Sequence, residues 1–158
     1  MEMRRTYLSD SSDEESKYQP KRYHILVLGE EVGKTSFIHR VTQNYFTIYY
    51  EKTRTIEIHN PVRIGESEYC FWDLPPHVYD GIKQVDLTLL CFHSMKKETK
   101  TFAIEKWRNI QSKMKHLPPA IMVGIRIPVE KEEGVHYIDS MSREGISKLM
   151  FTIHKILP

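Results

Sequence analysis

Apolar positions along this chain follow two rhythms, short continuous runs and helical stripes, which alternate from residue 23 onward. "YHILVLG" is a short apolar run ending in glycine, the pattern of a central parallel strand buried on both faces. "KTSFIHRVTQ" follows as a helix with Phe37, Ile38 and Val41 on one side. "TRTIEIHNPVRI" and "SEYCFWD", joined around Gly65, predict a hairpin. "VDLTLLCF" predicts a second buried strand, "PAIMVGI" a third and "GVHYID" a shorter fourth. "TKTFAIEKWRNIQSKMKH" reads as a helix, with Ala103, Trp107, Ile110 and Met114 recurring at helical spacing. The closing segment "SREGISKLMFTIHKIL" is a further helix, its stripe formed by Ile146, Leu149, Met150, Ile153, Ile156 and Leu157. No segment repeats. Strands alternating with helices predict an α/β domain whose mostly parallel sheet is covered on both faces.

Residues 1–20 do not share this pattern. "SDSSDEESKYQP" is serine-rich, acidic and nearly free of aliphatic residues, so it cannot bury enough surface to offset its ordering entropy. It is expected to be a disordered tail, leaving 21–158 as a single domain. Ser11 and Ser12 precede strings of carboxylates, a context that suits an acid-directed kinase; a merely solubilising tail fits as well. The length of 158 residues suits one full hydrophobic core. A net charge of +2 gives no argument for a nucleic-acid or membrane-surface partner. Cys70 and Cys91 lie in apolar, strand-like contexts and read as buried, reduced thiols of an intracellular, cytoplasmic protein. No apolar run approaches the roughly 20 residues of a membrane span, and the N-terminus has no signal-peptide core. "FTIHKILP" contains no cysteine, so no C-terminal lipid anchor is expected.

One stretch carries chemistry. "YHILVLGEEVGKTS" nearly spells G-x-x-x-x-G-K-[ST], the loop whose backbone N–H groups cradle phosphates at a helix N-terminus. In that motif the lysine reaches the β- and γ-phosphates and the following hydroxyl holds Mg²⁺. Gly29, Gly33, Lys34, Thr35 and Ser36 are therefore the candidate phosphate-binding residues. The gap between the glycines is one residue short, which removes one N–H from the cradle. Glu30 and Glu31 put carboxylates where an anion would lie, at a cost on the order of a kcal/mol unless they turn to solvent. A strand-to-helix turn that keeps glycines only for geometry is the alternative.

Read with this loop, further segments match one pattern: "VYDGIKQVDLTLLCFHSMKKET", "IEKW", "PPAIMVG" and "IDSMSREGISKLMF". From about residue 23 to 157 the chain resembles a small GTPase of the Ras superfamily, closest to the Rho family, as a divergent and degenerate member. The segment where Rho proteins carry their insert helix is too short here to hold one. The resemblance implies a P-loop GTPase-like three-layer fold with a six-stranded, mostly parallel sheet and about five helices. It implies GTP or GDP with Mg²⁺ as ligands, if nucleotide binding survives. It places the first switch at residues 45–55, where Tyr50 and Thr53 keep the family spacing. Thr35, Thr53 and Asp73 then become the candidate metal ligands. Strand-forming residues at the start of the hairpin explain Thr53 and Thr55 equally well.

Several family elements are altered. D-x-x-G-Q is replaced by Asp73-Leu74-Pro75-Pro76-His77, so Pro76 has no N–H for a γ-phosphate. His77 falls where a water-orienting glutamine would be and is the candidate catalytic residue. The second switch is also shortened. N-K-x-D becomes Ile125-Arg126-Ile127-Pro128, which removes the carboxylate that reads guanine. Arg126 keeps an aliphatic stem to lay on a base, and Ser140 keeps the serine of the last base-contacting loop. Two function classes follow. One is a pseudo-switch that acts through effector or regulator proteins at its first-switch region, from Tyr45 to Thr55, with Tyr45, Phe46, Ile48, Tyr49 and Tyr50 as aromatic and apolar anchors. The other is a working GTP-binding switch with slow hydrolysis. A P-loop kinase acting on a small molecule is not supported, since no arginine-rich lid or acceptor site is visible.

Overall fold

The computed structural model describes residues 19–43, 55–82 and 84–158. The acidic tail up to residue 18 and the first-switch positions Tyr45 to Thr53 lie outside the described residues. The described residues form a mostly parallel mixed sheet of seven strands and three helices.

β1 (Lys21–Leu28) is the central strand. Ile25, Leu26, Val27 and Leu28 are fully buried, as a continuous apolar run requires when helices cover both faces. α1 (Lys34–Thr42) leaves the loop after β1. The chain then lays β2 (Glu57–Ile58), β3 (Val62–Ile64) and β4 (Ser67–Asp73) on one side of β1. β5 (Leu87–His93), β6 (Ala120–Ile125) and β7 (Val135–Ile138) extend the sheet on the other side. α2 (Lys97–Gln111) joins β5 to β6, and α3 (Ile146–Ile156) closes the chain. β1 pairs in parallel with both β4 and β5, so the strand order reverses at β1. In open α/β sheets ligands bind at the carboxyl ends of strands at such a reversal. Here that place is the loop of residues 29–33.

Alternate side chains of the strands feed two cores. Ile25, Val27, Phe71, Leu89 and Val123 pack with Phe37 of α1 and with Leu149 and Ile153 of α3. Leu26, Leu28 and Leu90 pack with Ala103, Trp107 and Ile110 of α2. The hairpin around Gly65 is present, with Ile64 opposite Ser67 in an antiparallel ladder. Tyr69 ties the closing helix to the sheet: its hydroxyl donates to the Leu157 carbonyl and meets His154 Nδ1. No helix among the described residues is long and apolar enough to cross a membrane.

The structure corrects the sequence reading in five places. Among the described residues there are three helices rather than about five, because the described parts of 74–86 and 126–134 run without a helix. The sheet has seven strands rather than six, because the edge partner of β4 is broken at Asn60-Pro61, and proline has no N–H to give a ladder. α2 ends at Gln111, where Lys113 and Met114 turn back onto Ile110 and Gln111 instead of continuing the helix. α3 begins at Ile146, because Asp139 and Ser142 hold the preceding residues in local turns. Ile156 is 40% exposed and lies outside the buried stripe of α3.

A buried lysine anchors the loop after β4. Lys106 of α2 is 1% exposed and donates to the carbonyls of Pro75 and Pro76, at 2.6 and 2.8 Å. Its ammonium also lies against the rings of Tyr79 and Phe102. Burial, helped by the charge of Lys34, pulls its pKa from 10.5 down to about 7. Between those values the unfolded chain holds a proton that the folded chain does not, so stability rises with pH across the window. The slope is at most about 1.4 kcal/mol per pH unit. In Lys106→Met this contribution vanishes. Denaturant melts at pH 7 and 9.5 should show the wild-type protein gaining stability relative to the variant; equal pH responses would refute the assignment.

Candidate functional site

The loop joining β1 to α1 is built around a buried ammonium. Gly29 has φ 145°, and a Cβ there would lie 2.2 Å from the Cys91 carbonyl oxygen, so only glycine fits against β5. Gly33 has φ 105° and opens α1 in the left-handed region, which also favours glycine. Between them Val32 N–H turns back to the Glu30 carbonyl at 2.9 Å, so it closes the loop on itself. Lys34, 4% exposed, points inward and donates to the carbonyls of Gly29 and Glu30 at 2.7 and 3.1 Å. An ammonium has three donors, so one remains for an anion at the helix start. Burial lowers the Lys34 pKa, and the Asp73 carboxylate is the main influence opposing that shift. Glu31 is exposed, so one of the two loop carboxylates faces solvent.

Asp73, fully buried at the carboxyl end of β4, stands in register with Val27. The Thr35 hydroxyl donates to Asp73 Oδ2, tying the first turn of α1 to the sheet. Two candidate metal ligands are thus in direct contact. Thr53, the third, lies outside the described residues.

Two cavities flank the loop. One, of about 260 Å³, brings together Gly33, Ser36, Arg126 and Ser140, four residues singled out from the sequence. Ser140 is 6% exposed, and its hydroxyl makes no hydrogen bond. Arg126 adopts φ 80°, held by its N–H to Ile138 O and by the Ser94 hydroxyl on its own carbonyl. The carboxylates lining this cavity are Glu31 and Asp139, and Asp139 Oδ1 already accepts from the N–H groups of Met141 and Ser142. The second cavity, about 330 Å³, opens towards Pro76, Lys96, Glu98 and Thr99. Glu31, Val32 and His93 line both, so this part of the loop forms a common wall.

His77 is exposed and lines neither cavity. Two features escaped the sequence reading. One is the Lys106 anchor. The other is the approach of Glu57 and His59 to Asp73, signalled only by their placement two apart on an edge strand, which puts both on one face. No protein-family model matches this chain, and no curated protein is significantly similar to it.

The Thr35–Asp73 contact is a hydrogen bond to a buried carboxylate, a class worth about 1.5–3 kcal/mol. Thr35→Val should lower unfolding stability by that order, while Thr35→Ser should retain most of it. Urea unfolding of both variants checks this, and a Thr35→Val variant as stable as the wild type would show that the hydroxyl contributes nothing.

Proposed function

We propose that this chain is a small-GTPase-like, Rho-like signalling protein with a P-loop GTPase-like fold. It acts as a degenerate pseudo-switch through protein–protein interaction, with impaired guanine recognition. The observation that carries the reading is the common wall at Glu31 and Val32. It separates the cavity beside Arg126 and Ser140, where a base would lie, from the cavity beside Pro76, where a terminal phosphate would be sensed. A nucleotide that used both would have to pass over this part of the loop.

The two ends of the site differ in what they retain. At the phosphate end, the spare donor of Lys34 and the N-terminus of α1 suit an anion. The donor set beside it fits Mg²⁺: the Thr35 hydroxyl and Asp73 carboxylate are hard oxygen ligands already in contact. Bound there, the ion would supply charge neutralisation for a phosphate. At the base end, Pro128 presents no side-chain acceptor, and a site lacking its polar partner loses selectivity by orders of magnitude. Pro76 has no N–H with which to sense a terminal phosphate, so coupling between hydrolysis and loop movement is weakened. Partners would engage the first-switch region, residues 45–55, through its tyrosines. The second reading, a working GTP-binding switch, draws its support from the intact Lys34–Thr35–Asp73 grouping.

Titration with fluorescent GTP, GDP and ATP in Mg²⁺ separates the two. The pseudo-switch predicts binding no tighter than high-micromolar, little preference for guanine, and loss of the residual binding in Lys34→Met. Nanomolar, guanine-selective, Mg²⁺-dependent binding would establish the second reading instead.

A further inference from the structure

The face of the sheet beneath α1 holds a group of metal-ligating side chains, of which Asp73 alone also serves the phosphate loop. β2 runs antiparallel to β4 with Glu57 directly opposite Asp73. His59 follows two residues later, anchored by its N–H on the Phe71 carbonyl at 3.0 Å, so its ring lies on the same face as both carboxylates. The His59 side chain is 9% exposed, and its Nε2 makes no hydrogen bond. That nitrogen sits 3.8 Å from Glu57 Oε2 and 3.9 Å from Asp73 Oδ2. All three donor atoms lie within 4.8 Å of one another.

These separations are too long for hydrogen bonds and close to those around a shared ion. Tetrahedral zinc with bonds of about 2.0–2.2 Å holds its donors roughly 3.3–3.5 Å apart. A contraction of about half an ångström at each His59 contact, with a larger inward movement of Glu57 towards Asp73, would complete the set. Glu57, half-exposed on a two-residue edge strand, is free to swing inward. An imidazole nitrogen with two carboxylates suits a borderline transition metal, whereas Mg²⁺ prefers an all-oxygen octahedron. The ring of His39, from the last turn of α1, lies 5.4 Å from that of His59.

We infer that Glu57, His59 and Asp73 form a binding site for a divalent transition metal of the zinc class. The site does not require nucleotide. It shares Asp73 with Thr35, so a metal bound there draws on the carboxylate that holds the phosphate loop to the sheet.

The test uses the full, untagged chain, stripped with chelator and free of nucleotide. Calorimetric titration with Zn²⁺ should give one saturable site, undisturbed by millimolar Mg²⁺. Co²⁺ substituted at the site should show visible absorption bands of low-coordinate nitrogen and oxygen ligation. His59→Gln and Glu57→Gln should each weaken Zn²⁺ binding about tenfold or more. Glu57→Gln changes a half-exposed edge residue, so it reports on the site even where His59→Gln destabilises the fold. Absence of saturable Zn²⁺ binding, or binding undiminished in Glu57→Gln, overturns the assignment.

Discussion

A cation almost removed from water dictates the local architecture. The Lys34 ammonium can stay buried only if carbonyl oxygens replace its hydration shell, because an unsolvated charge is prohibitively costly. Gly29 and Glu30 supply those oxygens, and they can do so only because β1 ends in a residue without a Cβ against Cys91. Asp73 supplies the countercharge and Thr35 fixes the helix to it. Helix start, strand end and loop path are therefore one solution to one electrostatic problem. Lys106 repeats the device on the other face of the sheet with the carbonyls of two prolines. The two cations repel, so Lys34 contributes to lowering the pKa of Lys106.

Under the proposed reading, this arrangement gives a physical reason for uneven wear of the site. Lys34, Thr35 and Asp73 each do structural duty whether or not a phosphate ever binds, because each satisfies a buried polar group. Arg126 is exposed, and its side chain could be exchanged at little cost to the fold. Under the proposed reading, loss of nucleotide function would therefore erase the base end first and leave the phosphate end looking intact. Retained P-loop residues in such a chain are weaker testimony to activity than they would be in a domain where nothing else needed them.

The central strands were legible in the sequence because burial on both faces leaves an unbroken apolar run, as in β1 and β5. Helix ends were less legible, since α2 and α3 are bounded by local turns at Ser112 and Asp139 that compete with helical bonding only once tertiary contacts form. Pro61 breaks the edge strand that the sequence reading ran through it, and Ile156 falls at the margin of a stripe centred on Ile153. Gly29, Gly33, Lys34 and Thr35 could be grouped by motif spacing, and Asp73 only through the family resemblance. Lys106 could not, because nothing in "IEKW" tells that its stem passes through the core to a proline loop. The approach of His59 to Asp73 depends on strand register, which pairwise composition does not reveal.

The divided edge of the sheet has a further effect. An exposed, continuous edge strand is a template on which a second chain can add itself and begin a fibre. Here that margin is two pieces of two and three residues, parted by a proline, with Glu57 and Arg63 placing charge on each. Among the described residues of this margin, no run of free backbone donors and acceptors is long enough to recruit a stranger's strand. The irregularity that spoils the regularity of the hairpin also makes this margin a poor template for polymerisation.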